Sequence, residues 1–152
     1  MMTKRKIHNF ACIKLLAISE NEALARSIVT AFCAPLDPTF EELADLRCAV
    51  SEAMTNCIVH AYRGSEKAEY IEIRLKSLQG GYVEISVRDT GCGIEDIAEA
   101  TKPFFTTDAL GERSGMGFSI MSSFTDKMTV RSALGKGTKV TLKKHFGDVS
   151  DG

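Results

Sequence analysis

A carboxylate and a carboxamide stand four residues apart in residues 51–60, and together they could handle a phosphate group. If this stretch is helical, the Cβ atoms of Glu52 and Asn56 lie about 5–6 Å apart. An amide oxygen can ligate Mg²⁺ together with phosphate oxygens and water. A carboxylate can orient or deprotonate an attacking hydroxyl or water. Taken alone, this spacing is more often found on a solvated helix face, so the other motifs must decide.

Asp89 is a second candidate, because the alternation along its strand turns it towards the interior. It shares its parity with the three apolar residues of the predicted strand 82–89. A buried carboxylate needs hydrogen-bond donors, and the amino group of a heterocycle such as adenine is one. Gly91 and Gly93 follow and allow a backbone or ligand to approach closely. The alternative is an Asp-Thr-Gly turn in which Asp89 caps its own loop.

A third motif, Gly-x-Gly at Gly115 and Gly117, begins a predicted helix. Glycines at a helix start expose backbone N–H groups that suit phosphate oxygens. The preceding residues 94–113 have little periodicity and contain Pro103 and a polar run, which is typical of a loop that closes over a ligand. The core side of the helix would carry Phe118, Met121 and Phe124.

Two longer helices are predicted in the first 62 residues, and each begins at a predicted capping box. The box Ser19-x-x-Glu22 opens the first helix, on which Arg26 should be an exposed, solvated charge. The box Thr39-x-x-Glu42 opens the second helix, which should run to about Tyr62. The predicted core residues of the first helix are Leu24, Ile28 and Phe32, and those of the second are Leu43, Leu46, Val50, Ala53 and Cys57.

Four predicted strands alternate apolar and polar side chains, in residues 70–75, 82–89, 127–131 and 139–143. They indicate a sheet with one covered and one polar face. We therefore expect an α+β fold, a two-layer sandwich of a mixed, mostly antiparallel sheet with helices on one face. A further strand within residues 6–18 is apolar on both faces, and a second copy of the chain could cover its outer face.

Composition narrows the class of protein. The chain has 152 residues, enough for one domain spanning 1–152, and its net charge of −1 argues against a nucleic-acid or anionic-membrane surface. No apolar segment resembles a signal peptide or a membrane span, so we expect a cytoplasmic protein. Its five cysteines include no Cys-x-x-Cys pair, which argues against a disulfide framework or zinc site. Cys92, between two glycines, should be the exposed one.

The order of these motifs resembles the GHKL-type ATP-binding fold of gyrase, Hsp90, histidine kinases and mismatch-repair ATPases. Within that superfamily the chain resembles the anti-sigma serine kinases of the sporulation switch, from about residue 6 to 145. The segments that carry this resemblance are Ser19-Glu20-Asn21-Glu22, Leu36-Asp37-Pro38, Ser51-Glu52-Ala53-x-Thr55-Asn56, Phe105-Thr106-Thr107 and Glu112-Arg113-Ser114-Gly115-Met116-Gly117-Phe118.

The resemblance implies roles for individual residues. Asn56 would hold Mg²⁺, Glu52 would be the catalytic base, and Asp89 would accept from the adenine amino group of ATP. Arg26 would contact the protein partners. The other nucleotide contacts implied are Gly91, Gly93, Thr106, Thr107, Arg113, Ser114, Gly115, Gly117, Phe118 and Thr138.

The implied activity is transfer of phosphate from Mg-ATP to a serine of an anti-anti-sigma factor. The same protein, as a homodimer, would bind and inhibit a sigma factor of the sigma F type. Three alternatives stay open: a sister kinase of a general-stress sigma factor, a histidine-kinase catalytic domain, and a binding module that holds ATP without transferring phosphate. The histidine-kinase alternative requires a helix bearing a phosphoacceptor histidine, and the only histidines are His8, His60 and His145.

Overall fold

Five strands form one open sheet in the computed structural model, which describes residues 4–62, 68–101 and 117–147. The order across the sheet is β1-β2-β3-β5-β4, which places β3 at its centre. Each described pair of neighbouring strands is antiparallel. The sheet was expected to be mixed and mostly antiparallel, but none of these pairs is parallel. The strands are β1 Ile7–Leu16, β2 Tyr70–Leu78, β3 Tyr82–Arg88, β4 Lys127–Ala133 and β5 Gly137–His145.

The helices pack on one face of this sheet, with α2 at their centre. Helix α2 contacts α1, α4 and the inner strands β3 and β5. The helical segments are α1 Glu20–Cys33, a 3₁₀ turn Ala34–Leu36, α2 Phe40–Thr55, a π-helical segment Asn56–Ala61, α3 Ile97–Ala100 and α4 Gly117–Ser123. The α+β sandwich expected from the sequence is therefore confirmed. None of the helices in the described ranges has the length and hydropathy to cross a bilayer.

The core lies between α2 and the inner face of the sheet. The apolar positions inside β2 and β3 are buried, as the alternation predicts, and the charged residues between them are partly or fully exposed; Ser77 and Ser86 are buried as well. On β1 the second apolar row, Phe10 (51%) and Leu16 (38%), is exposed at the surface of the single chain, and so is Ile18 (41%) just beyond the end of the strand. The largest buried side chains of the core are Leu46, Met54, Ile71, Ile73, Leu75, Ile85, Met121 and Leu142.

The capping box at Thr39 is present. Thr39 has extended backbone angles, its hydroxyl accepts from the Glu42 N–H at 3.1 Å, and Glu42 Oε1 accepts from the Thr39 N–H at 2.8 Å. These bonds satisfy two donors that the helix itself leaves unpaired. The carboxylate also accepts from the Gly147 N–H, and despite partial desolvation its hydrogen bonds lower the pKa of Glu42.

The capping box predicted at Ser19 was wrong. Ser19 has helical backbone angles, φ −60° and ψ −32°, so its hydroxyl does not cap α1. Glu22 instead forms an ion pair with Arg26 and accepts a hydrogen bond from the hydroxyl of Ser51 on α2. Arg26 is consequently half-buried rather than fully solvated, with 36% of its side chain exposed.

The core face of α1 is also rotated from the one predicted. Leu24 is 45% exposed, so its assignment to the core was wrong. Ile28 and Phe32 are partly buried as expected. The fully buried residues of α1 are Ala25, Val29 and Cys33, each one position after a predicted core residue.

Candidate functional site

The side chains of Glu52 and Asn56 meet at the first residue of α4. A Cβ placed on Gly117 would lie 3.3 Å from Glu52 Oε2 and 3.3 Å from Asn56 Oδ1. A contact that short is tighter than most real Cβ atoms make, so any residue larger than glycine would press on both groups. The carboxylate and the carboxamide predicted from the sequence therefore point to one place, beside a glycine that keeps it open.

One atom of the Asn56 amide lacks a partner among the described residues. Its Nδ2 is buried and has no hydrogen-bond partner in the part of the chain that the structure describes. A buried polar atom without a partner is costly, and such atoms in native proteins call for an explanation such as a ligand or ion. Because the nitrogen and oxygen of an asparagine amide are assigned from their neighbours, either atom can be turned to a ligand.

These residues fit a Mg²⁺ ion that is shared with a nucleotide. Mg²⁺ takes oxygen ligands, keeps several waters and is commonly held by one or two protein groups plus substrate phosphates. Within the described ranges no three His, Cys, Asp or Glu side chains cluster in a way that would bind a metal by themselves. An ion at Asn56 would therefore be held jointly by the amide oxygen, phosphate oxygens and water.

The helix changes character at Asn56, which the apolar periodicity did not reveal. Its N–H donates to the carbonyls of both Glu52 and Ala53, and residues Asn56–Ala61 then continue as a π-helix. π-Helical turns are rare and often lie at functional sites. Here the wider turn brings Cys57 and Ala61 against the turn that follows β3: the Ala61 carbonyl accepts from the Cys92 N–H at 2.9 Å.

Asp89 lies at the end of β3 and points inward, as its parity predicts. Asp89 is 5% exposed. Its Oδ1 accepts hydrogen bonds from the N–H groups of Gly91 at 2.9 Å and Thr138 at 3.2 Å. The thiol of Cys57 lies 3.4 Å from Oδ2. Burial raises the pKa of Asp89 above its usual range, and these three hydrogen bonds oppose that rise. The bond from Gly91 shows that Asp89 also caps its own loop, which was the alternative interpretation.

Three glycines allow the backbone around Asp89 to pack closely. A Cβ on Gly91 would lie 2.2 Å from the Ala61 carbonyl oxygen, and one on Gly137 would lie 2.1 Å from the carbonyl oxygen of Asp89. Gly93 and Gly137 also have positive φ angles, +76° and +106°, which glycine adopts without strain. Gly137 was not among the predicted nucleotide contacts, although it packs directly against Asp89.

Tyr62 is a second residue that sequence reasoning missed. Its hydroxyl accepts from the Thr90 N–H at 2.7 Å and donates to the Tyr70 carbonyl at 2.6 Å. It thereby joins the end of the π-helical segment to the start of β2 and to the turn after Asp89. Desolvation raises the pKa of Tyr62, so the phenol keeps its proton. A tyrosine near a helix end has no local signal that would indicate this role.

The remaining predicted site residues divide into those the structure describes and those it does not. Thr138 lies beside Asp89, and its hydroxyl is 2.8 Å from the Ser132 hydroxyl. Phe118 is partly buried against the core. Cys92 is exposed, as predicted, with its thiol on the carbonyl of His60, but it is not alone in this, because Cys12 is exposed as well. The positions Thr106, Thr107, Arg113, Ser114 and Gly115 lie outside the described residues, so their roles stay predictions.

Comparison with known proteins identifies the family to which this chain belongs. The family model of the histidine kinase-like ATPase domain matches residues 16–144. An anti-sigma F factor of Caldanaerobacter subterraneus subsp. tengcongensis is 49% identical over 140 residues, covering 92% of this chain and 96% of that protein. The anti-sigma F factor of Lysinibacillus sphaericus is 47% identical over 138 residues, covering 91% of this chain and 93% of that protein.

Solved structures agree on the fold. The structure of the RsbU and RsbW domains of Rv1364c from Mycobacterium tuberculosis superposes with a TM-score of 0.66 at 18% identity, covering 91% of this chain and 32% of that one. Full-length ShkA, solved in complex with AMPPNP, has a TM-score of 0.56 at 21% identity and covers 86% of this chain and 31% of that one. With close relatives matching nearly end to end, the chain belongs to the anti-sigma F factor family of histidine kinase-like ATPase domains.

Proposed function

We propose that this protein binds Mg-ATP between α2 and the sheet, and transfers the γ-phosphate to a serine of an anti-anti-sigma factor. In the same proposal it binds and inhibits a sigma factor of the sigma F type. The observation that carries the proposal is the convergence of the Glu52 and Asn56 oxygens on Gly117, with the buried Asp89 elsewhere in the same helix–sheet layer. The names of the close relatives support a sigma F partner over a general-stress sigma factor.

The two ends of the proposed site suit the two ends of ATP. Asp89 is an acceptor in an apolar layer, which suits the exocyclic amino group of adenine. Asn56 offers an amide with no protein partner among the described residues, which suits an ion shared with phosphates. The π-helical segment Asn56–Ala61 joins the two ends, because it begins at Asn56 and ends on the turn after Asp89.

The proposed chemistry is positioning and charge stabilisation. Glu52 would accept the proton of the substrate serine or hold that hydroxyl in line with the γ-phosphate. Asn56 would fix the ion that, when bound, neutralises charge on the β- and γ-phosphates. Gly117 leaves room for these groups to approach the phosphate, since a side chain there would contact both of them.

Partner binding is assigned to two other surfaces. Arg26 on α1 keeps 36% of its side chain exposed, which is enough to contact an acidic group on a sigma factor or an anti-anti-sigma factor. The exposed apolar row of β1 lies next to Tyr70 of β2, itself 49% exposed, and this surface suits a second copy of the chain. We therefore propose a homodimer that covers β1.

Radiolabelled phosphotransfer tests the proposal. Wild-type protein is mixed with labelled ATP, Mg²⁺ and a candidate anti-anti-sigma factor, beside Glu52→Gln and the exposed-surface control Lys139→Gln. We expect transfer by wild type and by the control, with a loss of about 10²–10⁴-fold for Glu52→Gln. ATP affinity of Glu52→Gln should be nearly unchanged.

Other outcomes of this assay, together with binding measurements on sigma factors, identify the alternatives. Absence of transfer by wild type, with sigma-factor binding intact, would favour a non-catalytic binding module. An acid-labile phosphate on the partner would indicate histidine phosphorylation. Stronger binding to a general-stress sigma factor than to sigma F, measured side by side, would favour the sister kinase.

A further inference from the structure

The buried thiol of Cys57 contacts the carboxylate of Asp89, which is proposed to bind the amino group of the nucleotide base. Cys57 is 4% exposed, and its Sγ lies 3.4 Å from Oδ2 of Asp89. An ionised carboxylate only accepts hydrogen bonds, so the thiol is the donor in this contact.

The donors around Asp89 are divided unequally between its two oxygens. Oδ1 accepts from two backbone N–H groups, those of Gly91 and Thr138. Oδ2 accepts from Cys57 alone among the residues that the structure describes. Since each carboxylate oxygen accepts about two hydrogen bonds, the position left over is on Oδ2. Oδ2 is therefore the atom available to a ligand, and Cys57 is the side chain that holds it.

We propose that Cys57 is a positioning residue for base recognition: its thiol orients Oδ2 of Asp89 towards the amino group at position 6 of a purine. The inference rests on the proposed binding of ATP at this site. A 6-amino group donates to the oriented oxygen, whereas the 6-carbonyl of hypoxanthine places a lone pair against it. The thiol thus contributes to selection of adenine over purines with a carbonyl at position 6.

Loss of the thiol has a defined consequence for selectivity. Without its side-chain donor, Oδ2 moves or binds water, which weakens the contact with the amino group. The same movement relieves the repulsion against a 6-carbonyl. ATP affinity and the preference for ATP over ITP should therefore fall together, which a general loss of packing would not produce.

The experiment compares ATP and ITP as competitors of a fluorescent ATP analogue, with Mg²⁺ present and the full chain. The variants are Cys57→Val, which keeps an apolar side chain of similar size, Cys57→Ala, and Cys57→Ser, which restores a donor. Cys33→Ala is the matched control, because Cys33 is also buried but its thiol has no hydrogen-bond partner among the described residues. Thermal unfolding without nucleotide identifies any variant that does not fold.

We expect the ATP-to-ITP affinity ratio to fall about three- to tenfold in Cys57→Val and Cys57→Ala, the range of one hydrogen bond. Cys57→Ser and Cys33→Ala should keep the wild-type ratio. An unchanged ratio in folded Cys57→Val and Cys57→Ala, or an equal fall in Cys33→Ala, overturns the inference and leaves the proposed function standing. Failure of wild type to bind ATP overturns the proposed function and this inference with it.

Discussion

The carboxylate of Glu22 on α1 accepts a hydrogen bond from the hydroxyl of Ser51 on α2. The same carboxylate pairs with Arg26, and Ser51 directly precedes Glu52 in the chain. One side chain therefore links the residue proposed to contact partners with the helix that carries the proposed base. This link therefore joins α1 to α2 at the residue directly before Glu52.

Arg26→Ala should abolish or strongly weaken binding of the sigma factor and of the anti-anti-sigma factor. ATP affinity should stay at the wild-type level, because Arg26 has no contact with Asn56 or Asp89. The loss in unfolding free energy should be below about 1 kcal/mol, since the ion pair is partly exposed. Calorimetric titrations with each partner and with ATP measure both effects. Arg131→Ala, an exposed cation on β4, is the control and should bind both partners normally.

Asn56→Ala should weaken Mg-ATP binding without weakening the fold. The Nδ2 atom has no partner in the described protein, so its removal costs no hydrogen bond there and relieves the burial of a polar atom. We expect the unfolding free energy without nucleotide to be unchanged or slightly higher in urea titrations. A marked loss of stability in the nucleotide-free variant would show that the amide serves the fold instead.

Gly117→Ala should lower phosphotransfer while the protein stays folded. The added methyl group would lie 3.3 Å from both Glu52 Oε2 and Asn56 Oδ1, so these groups must shift. We expect at least about a tenfold loss of rate, because small displacements of catalytic groups have large effects on rate. Ser122→Ala, at an exposed position of the same helix, should behave as wild type in the same assay. Wild-type rates in Gly117→Ala would contradict the proposed arrangement.

Asp89→Asn should bind ATP about 10- to 100-fold more weakly, because a charged acceptor is replaced by a group that also carries donors. Its stability should depend on pH differently from wild type. Burial raises the pKa of Asp89 in the folded protein, so between the unfolded and folded pKa the native state holds more protons. Wild type therefore loses unfolding free energy as the pH rises through that window, and the variant does not.

Urea titrations of Asp89→Asn and wild type at a series of pH values test this predicted pH dependence of the unfolding free energy. The stability of the variant relative to wild type should increase as the pH rises through the window and stay constant above it. A relative stability that decreases with rising pH would mean that the ionised carboxylate stabilises the fold.

Thr39→Ala should destabilise the protein by about 1 kcal/mol, the usual cost of removing a helix N-cap. Ser19→Ala should cost far less, because the Ser19 hydroxyl does not cap α1. Chemical denaturation of the two variants compares two motifs of the same predicted type, of which only the one at Thr39 has the backbone geometry of a cap. Equal losses in the two variants would contradict the geometric explanation.

The sequence by itself determined the strands, the longer helices and the type of each candidate group, but not the short helix α3 within the predicted loop 94–113. Alternation along residues 82–89 was enough to place Asp89 inside, because a strand turns alternate side chains to opposite faces. The spacing of Glu52 and Asn56 was enough to place them on one helix side, because a helix repeats every 3.6 residues. Both are local consequences of the chain's own geometry.

Only the tertiary structure decided how these groups meet. The π-helical turn at Asn56, the bond of Tyr62 to the turn after Asp89, and the contact of Cys57 with Oδ2 join parts of the chain that are far apart in sequence. Tertiary contacts also decided the outcome at Ser19. Its motif matches a capping box, but Glu22 contacts Arg26 and Ser51 instead of the backbone of Ser19. Long-range packing selects among local options of similar free energy, so a local pattern cannot reveal which one is taken.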